Sequence, residues 1–219
     1  CSNLNGSLVM NTNDDRGRRY WDSHAQVYDL SLRVLSRPFP RMIEIMREEL
    51  VGCGSVLEVG AGTGAVTVEL AGAVERWLAT DYSGSMVDRL RDRLRAANAA
   101  RVEVQQADLY ALEVVRNSFD AVVAANVLHL VPDLQGALQA LARCLRPGGK
   151  LLAPTFCHAQ TRTSRLTSRL VSVTGFPAQR HFTIDTLVDD VSQSGFRVVR
   201  QALLPGPIPV GFVAAVQGG

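Results

Sequence analysis

The chain has 219 residues, 47% hydrophobic and 20% charged, which is enough apolar material for the core of one sizeable globular domain. Its 23 basic and 21 acidic residues nearly balance, and this argues against a dedicated nucleic-acid-binding protein, which would carry a strong basic excess. The four cysteines are scattered and form no CxxC or Cys/His cluster, so we expect reduced thiols in a cytoplasmic protein, with no metal site. No apolar run approaches the roughly 18 residues of a membrane-spanning helix.

The first nineteen residues are polar and lack the apolar core of a secretory signal. We therefore expect residues 1–19 to be a disordered leader or a tag remnant, followed by a single domain over residues 20–219. Residues 20–52 are expected to be helical. "YWDSHAQVYDLSLRVLSRPF" is interrupted at Pro38, and in "PRMIEIMREELVG" one face carries Met42, Ile45, Met46 and Leu50.

Strand and helix patterns then alternate along the chain. Short apolar runs predict five strands, at "SVLEV", "RWLAT", "RVEVQQA", "FDAVVAA" and "KLLAPT". Helices are predicted at "AVTVELAGAV", at "SMVDRLRDRLRAAN" with a core stripe of Met86, Leu90, Leu94 and Ala97, and at "DLQGALQALARCLR" with a stripe of Leu134, Leu138, Leu141 and Leu145. This alternation predicts an α/β fold with a parallel sheet covered by helices on both faces.

The last third of the chain has a different pattern. "QTRTSRLTSRLVSVTG" and "TIDTLVDDVSQSG" predict two helices, the second with Thr183 or Asp185 near its N-cap. "FRVVRQALL" and "VGFVAAVQ" predict two strands, which the short loop "PGPIP" would make antiparallel neighbours. No linker divides the chain.

The stretch "VLEVGAGTGAVTVELA" combines a buried strand, three glycines and a helix. Gly60, Gly62 and Gly64 permit a sharp turn and let a ligand lie against the backbone. The N-terminus of the following helix offers free N–H groups to a carboxylate or phosphate. "GAGTGA" also satisfies the dinucleotide pattern G-x-G-x-x-G/A, so the loop alone does not exclude a nicotinamide enzyme.

Acidic residues near this loop narrow the choice of ligand. Asp81 ends the second strand, where a carboxylate accepts hydrogen bonds from ribose hydroxyls. Asp108 ends the third strand, where a carboxylate can accept from the adenine amino group. Glu58 lies two residues before the loop, where it would repel a pyrophosphate and favour a ligand that carries an ammonium and a sulfonium.

Together, "VLEVGAGTG", "LATDYSGSM", "QQADLYAL", "FDAVVAANVLHLVPD" and "LRPGGKLLAPT" resemble, in order and spacing, the motifs of class I S-adenosylmethionine-dependent methyltransferases. The likeness is to the small-molecule branch similar to the ubiquinone/menaquinone C-methyltransferases and "type 11" enzymes, and it runs from Tyr20 to the C-terminus. It implies a Rossmann-like, seven-stranded, mostly parallel sheet with an antiparallel last strand. It also implies transfer of a methyl group from S-adenosylmethionine to O, N or C of a small metabolite, with S-adenosylhomocysteine as product.

The same resemblance assigns roles in cofactor binding. The glycine loop would pass under the methionine part and the ribose, with Glu58 orienting it, and the N-terminal helices over residues 20–52 would cover the donor. Tyr20, Trp21 and Tyr28 would close over the donor or, alternatively, form an aromatic core stripe. The residues expected to contact the cofactor are Tyr28, Glu58, Gly60, Ala61, Gly62, Gly64, Asp81, Tyr82, Met86, Asp108, Leu109 and Asn126.

Methyl transfer from a sulfonium is a direct displacement, so the protein mainly aligns the reacting atoms and excludes water. A general base helps only when the acceptor arrives protonated. His129 and His158 follow the fourth and fifth strands and are the predicted catalytic or acceptor-binding residues; the alternatives are a packed structural histidine and a loop residue, respectively. His181 is assigned to a substrate flap, and His24 to a helix surface.

Residues 160–182 are the predicted substrate lid. Arg162, Arg165 and Arg169 are predicted to share one helical face, opposite Leu166, Leu170 and Val173. We expect this arginine face to contact solvent; an anionic substrate or a lipid surface is the less favoured partner. The expected partner is a small-molecule acceptor, with no nucleic acid and with membrane contact less favoured, in a monomer or homodimer. The alternative functions are phospholipid headgroup N-methylation, a nicotinamide (NAD) oxidoreductase and a non-catalytic cofactor-binding protein.

Overall fold

A computed structural model describes residues 20–23, 37–99, 101–172 and 178–218. The predicted leader, most of the first predicted helix, and with it His24 and Tyr28, lie outside these residues. Residues 20–23 are helical.

The described chain alternates between strands and helices in the predicted order. The helices are α1 (Phe39–Glu49), α2 (Ala65–Leu70), α3 (Gly84–Ala96), α4 (Leu134–Cys144), α5 (Arg162–Ser172) and α6 (Ile184–Gln193). The strands are β1 (Ser55–Val59), β2 (Arg76–Asp81), β3 (Val102–Gln106), β4 (Phe119–Val123), β5 (Leu145–Leu152), β6 (Thr155–Phe156), β7 (Phe196–Leu204) and β8 (Val210–Gln217). Two short 3₁₀ helices cover Ala71–Ala73 and Leu109–Ala111.

The strands form one sheet in the order β3-β2-β1-β4-β5-β8-β7, with the first five parallel. β8 pairs antiparallel with β5 on one side, and on its other side it pairs antiparallel with β7 along its whole length. β6 pairs with the start of β8, on the same side of β8 as β5. β5 and β6 therefore follow one another along β8, and the eight strands occupy seven positions in the sheet. The predicted mostly parallel sheet with an antiparallel last strand is confirmed.

Apolar side chains on the two faces of the sheet form two separate cores. Leu57 and Val59 on β1 belong to one core, which α4 covers. Val56, which precedes Leu57, points to the other face and packs in the core that α1 covers. Helices therefore cover both faces, as the alternating pattern predicts.

Most predicted helix faces are buried as expected. The stripes of α1 and α4 are buried throughout, and so are Met86, Leu90 and Leu94 of α3. Ala97 was predicted to join the α3 stripe and is exposed, because α3 ends at Ala96 and Ala97 is its C-cap. Among the described residues, none of the helices combines the length and the apolar character needed to cross a membrane.

Two element boundaries have clear physical causes. Strand β5 begins at Leu145, five residues before the predicted start, because Leu145 pairs with Phe119 ahead of a bulge in the β4–β5 ladder. Helix α6 begins after Thr183, whose side chain accepts from the Thr186 N–H while the Thr186 side chain accepts from the Thr183 N–H. This reciprocal pair is a capping box, so Thr183, of the two predicted candidates, is the N-cap.

Candidate active site

The carboxyl ends of the five parallel strands meet at one edge of the sheet, which in open α/β sheets is where ligands bind. The glycine loop follows β1, Asp81 ends β2, and Asp108 follows β3. Asn126 and His129 follow β4, and His158 follows β6. The fold thus brings the glycine loop, Asp81, Asp108 and Asn126 to the same edge as the two predicted catalytic histidines.

The glycine loop adopts a backbone conformation, and packs so closely, that residues with a side chain would not fit. Gly60, Gly62 and Gly64 have φ values of +61°, +56° and +83°, in the left-handed region. A Cβ atom on Gly60 would lie 2.4 Å from Val127 Cγ2, and one on Gly64 would lie 2.3 Å from Leu90 Cδ1. The loop therefore lies directly against the segment after β4 and against α3, and only glycine fits both the conformation and the space.

Replacing Gly60 with alanine is expected to lower the free energy of unfolding by about 2–3 kcal/mol, because left-handed strain adds to overpacking against Val127. Urea denaturation measures the change. Gly72→Ala is the matched control, since a Cβ atom at Gly72 meets nothing within 4 Å and its φ is not positive. Equal stability losses in the two variants would show that the loop has no such constraint.

Asp81 ties the glycine loop to α3. Its Oδ2 accepts a hydrogen bond from the Gly62 N–H at 2.8 Å, and its Oδ1 accepts from the Ser83 N–H at 2.9 Å. Burial raises the pKa of the Asp81 carboxyl, although these hydrogen bonds act in the opposite direction. A carboxylate has about four acceptor positions, and three backbone N–H groups donate to Asp81, so the group that fixes the loop can also accept a hydrogen bond from a ligand.

Glu58 lies beneath the loop, at 1% exposure. Its Oε2 accepts from the Thr67 hydroxyl at 2.7 Å and from the Trp77 indole N–H at 2.9 Å, and burial raises its pKa to about 7. These bonds join β1 to α2 and β2. Glu58 is therefore placed to fix the loop from the protein interior, and its carboxyl does not belong to the exposed surface of the edge.

The described part of the leading segment lies beside Asp81. The Ser83 hydroxyl donates to Asp22 Oδ1 at 2.5 Å, and the rings of Tyr20 and Trp21 meet edge to face at 5.2 Å. Ser83 is also the N-cap of α3 and accepts from the Met86 N–H. The contact between Asp22 and Ser83 therefore holds residues 20–23 near the start of α3.

Three further predicted cofactor residues, Asp108, Leu109 and Asn126, follow β3 and β4 at the same edge of the sheet. Asp108 is half-buried and caps the short 3₁₀ helix that contains Leu109, accepting from the Tyr110 N–H at 2.9 Å. Asn126 has a φ of +56°, and its N–H donates to the Pro154 carbonyl. The Asn126 Oδ1 atom is buried and has no hydrogen-bond partner among the described residues. A buried acceptor of this kind indicates a missing donor, which a bound ligand would supply.

Three histidines form a cluster at the same edge. His129 and His158 are 1% and 3% exposed, and their ring centroids are 5.4 Å apart. The exposed His181 lies 5.5 Å from His158, and the Phe156 ring contacts both buried histidines. Sequence reasoning selected His129 and His158 but treated His181 as a separate flap residue, and no local pattern indicated that the three would meet.

Burial keeps the two inner histidines neutral. Burial, with smaller contributions from His158 and His181, lowers the pKa of His129 to about 3, and burial with a smaller contribution from His181 lowers that of His158 to about 4. At neutral pH each ring therefore offers one donor and one acceptor, and neither adds a positive charge that would repel a cationic donor. Both are weak proton acceptors in this state.

Neither a cysteine nucleophile nor a metal site is indicated by the described residues at this edge. Burial raises the pKa of the Cys157 thiol to about 11, so Cys157 is a packing residue and not a thiolate nucleophile. Within the residues that the structure describes, no group of three histidine, cysteine or acidic side chains is arranged to hold a metal ion.

The C-terminal end of the predicted lid is docked on the histidine loops. The N–H groups of Gln179 and Arg180 donate to the His129 carbonyl at 2.9 and 3.1 Å, and Arg180 Nη1 donates to the Val131 carbonyl at 2.9 Å. The Ala159 N–H donates to the Phe182 carbonyl. These bonds hold residues 178–182 across the loops after β4 and β6, which places His181 beside His158.

Helix α5, within the predicted lid, is oriented differently from the prediction. Leu166 was predicted to lie opposite the arginines and is 61% exposed, on the same face as Arg162, Arg165 and Arg169. Among the residues of this helix whose side chains the structure describes, Ser164 and Ser168 are buried. The helical period places residues 162, 165, 166 and 169 on one side, so the small serines pack inward and Leu166 does not. The Leu170 side chain and Val173 lie outside the described residues.

Comparison with protein families and relatives agrees with this geometry. A family model described as "Methyltransferase domain" matches residues 56–149. The ubiquinone/menaquinone biosynthesis C-methyltransferase UbiE of Syntrophotalea carbinolica is 30% identical over 219 residues, covering 87% of this chain and 90% of that protein. The demethylmenaquinone methyltransferase of Mycolicibacterium paratuberculosis is 35% identical over 139 residues, covering 62% of this chain and 57% of that protein.

Solved structures share the fold. An S-adenosylmethionine-dependent methyltransferase of Thermotoga maritima superposes with a TM-score of 0.73 at 20% identity, covering 91% of this chain and 99% of that chain. The 1,6-didemethyltoxoflavin-N1-methyltransferase of Burkholderia thailandensis was solved with 1,6-didemethyltoxoflavin and S-adenosylhomocysteine bound. It superposes with a TM-score of 0.73 at 17% identity, covering 92% of this chain and 87% of that chain. At these identities the likeness concerns the fold alone.

Proposed function

Because the chain belongs to the class I S-adenosylmethionine-dependent methyltransferases of the ubiquinone/menaquinone C-methyltransferase type, we propose that it methylates a ring carbon of a small hydroquinone. The observation that carries this proposal is the 30% identity to a protein of that name over 90% of its length. Membership of this family excludes the nicotinamide oxidoreductase alternative. S-adenosylmethionine is the cofactor, and it supplies an electrophilic methyl group on a positively charged sulfur.

We assign donor binding to the edge that β1, β2 and β3 form. The glycine loop offers bare backbone against which the donor can lie, and Asp81 and Asp108 offer carboxylate oxygens to the ribose hydroxyls and the adenine amine. The buried Asn126 Oδ1, which has no hydrogen-bond partner among the described residues, fits the ammonium group of the methyl donor. Asp22, bound to Ser83, holds residues 20–23 beside this edge, where their side chains would exclude water.

We assign acceptor binding to the histidine cluster. A hydroquinone is a flat ring with two hydroxyl groups, and the cluster offers two neutral imidazoles beside the Phe156 ring. A neutral imidazole nitrogen accepts a hydrogen bond from a ring hydroxyl, which increases electron density on the attacking carbon. In the reaction that carbon gains the methyl group as the methyl–sulfur bond breaks, and it then loses its proton to solvent.

The test is a transfer assay with radiolabelled S-adenosylmethionine. Demethylmenaquinol, kept reduced by dithiothreitol, is the expected acceptor, with catechol, histamine and phosphatidylethanolamine vesicles as competing classes. Label on the hydroquinone ring carbon supports the proposal. Preferential label on the phospholipid would establish headgroup N-methylation instead. Binding of S-adenosylhomocysteine with no transfer to any compound would favour the non-catalytic alternative.

His158→Leu is expected to lower kcat roughly 10- to 100-fold, because leucine cannot accept the hydrogen bond from the reacting acceptor. Affinity for S-adenosylhomocysteine, measured by calorimetry, should change less than about twofold, because His158 is assigned to the acceptor and not to the donor. A loss of donor affinity equal to the loss of kcat would contradict this assignment. The exposed His181 gives the comparison variant His181→Leu, for which a smaller fall in kcat is expected.

A further inference from the structure

Helix α5 presents a basic face with a leucine at its centre. Arg162, Arg165 and Arg169 are exposed around Leu166, which is itself 61% exposed. The buried residues Ser164 and Ser168 attach the opposite side of the helix to the protein. Solvation alone does not require a large apolar side chain within a cationic face.

The charge around this face is strongly asymmetric. No aspartate or glutamate occurs between Asp133 and Asp185, a stretch of 51 residues in a chain with 21 acidic residues in 219. Residues 160–182 carry four arginines and no acid, a charge of +4, which leaves −2 on the rest of the chain against a total of +2. The lid region therefore supplies the whole positive excess of the protein.

We infer that the outward face of α5 docks on an anionic lipid bilayer, with its arginines on the lipid phosphates and Leu166 in the apolar layer beneath them. Basic side chains near a membrane surface are attracted to anionic lipids, and an apolar residue among them adds burial. The aliphatic side chain at the centre of the face favours a bilayer over a nucleic acid, which offers no apolar layer to receive it.

Docking at this face would bring the acceptor site to the membrane. Helix α5 begins four residues after His158, and Arg180, beyond the same helix, is bonded to the carbonyls of Val131 and Pro132, just after His129. The inference extends the proposed function, because an acceptor dissolved in the bilayer would then reach the histidine cluster without crossing water. The docking itself depends only on the surface of α5.

The experiment is cosedimentation of the purified full chain with vesicles, in the absence of methyl donor and acceptor. Vesicles of phosphatidylcholine with phosphatidylglycerol are compared with vesicles of phosphatidylcholine alone. We expect binding to the anionic vesicles only. Salt at about 1 M should release the protein, since screening then acts over about 3 Å.

Two sets of variants test whether binding depends on the exposed face of α5 or only on the net charge of the protein. Arg162→Glu/Arg165→Glu should reduce partitioning at least tenfold, and Leu166→Ser several-fold. Arg116→Glu/Arg143→Glu makes the same change in net charge at exposed sites outside the lid and should leave partitioning within about twofold of the unaltered protein. Affinity for S-adenosylhomocysteine shows that each variant is folded.

Absent vesicle binding, equal binding to neutral vesicles, or equal losses in the two double variants would each overturn the inference. Tighter binding to a single-stranded RNA than to anionic vesicles would also overturn it, in favour of a nucleic-acid surface. None of these outcomes depends on methyl transfer, so the hydroquinone proposal and the docking inference fail separately.

Discussion

Replacing Asp81 with alanine is expected to weaken binding of S-adenosylhomocysteine at least a hundredfold. Asp81 is assigned to two ribose hydroxyls, and a hydrogen bond to a charged group contributes about 1.5–3 kcal/mol. The same carboxylate accepts from the Gly62 and Ser83 N–H groups, so the variant also frees the glycine loop. Both effects reduce affinity, and two such bonds correspond to a factor of about 100 or more. Isothermal calorimetry measures the change.

Two further variants define what Asp81 contributes. Asp92→Ala removes an exposed carboxylate on α3 and should leave the affinity unchanged. Asp81→Asn keeps one acceptor oxygen and should fall between the alanine variant and the unaltered protein. An Asp81→Ala protein that is folded and binds S-adenosylhomocysteine normally would remove Asp81 from the ribose role.

Replacing Glu58 with alanine is expected to lower the free energy of unfolding by about 3–5 kcal/mol. The change leaves the Thr67 hydroxyl and the Trp77 N–H buried without their acceptor, and it opens a cavity beneath the glycine loop. Glu58→Gln keeps an acceptor oxygen for both donors and should lose much less. Urea denaturation of the three proteins measures the difference, and equal losses in the alanine and glutamine variants would contradict the assigned hydrogen bonds.

Glu58 also predicts how stability depends on pH. Burial raises its pKa from 4.5 to about 7, so between these values the folded protein binds more protons than the unfolded chain. The contribution of Glu58 to stability is therefore fully present below about pH 4.5 and is lost as the pH rises through about 7, by up to about 3 kcal/mol. Glu58→Gln should lack this component when unfolding is measured at about pH 5 and about pH 8. An unchanged pH dependence in that variant would show that Glu58 does not titrate as assigned.

The sequence by itself determined the alternation of strands and helices, the buried stripes of α1 and α4, and the acids at the ends of β2 and β3. These features follow from local periodicity and from residue chemistry at fixed positions, which neighbouring residues largely set. The glycines at 60, 62 and 64 also predicted a bare turn, because their conformational freedom is a property of the residue itself. The family resemblance rested on these same local motifs.

The tertiary structure alone decided which distant groups meet. His129, His158 and His181 come from three segments, and only the docking of residues 178–182 on the loop after β4 joins them. The hydrogen bonds of Glu58 to Thr67 and Trp77, and the outward position of Leu166, were not predicted for the same reason. Periodicity identifies a face of an element but not the element that packs against it, and that partner sets the burial, charge state and exposure on which this site depends.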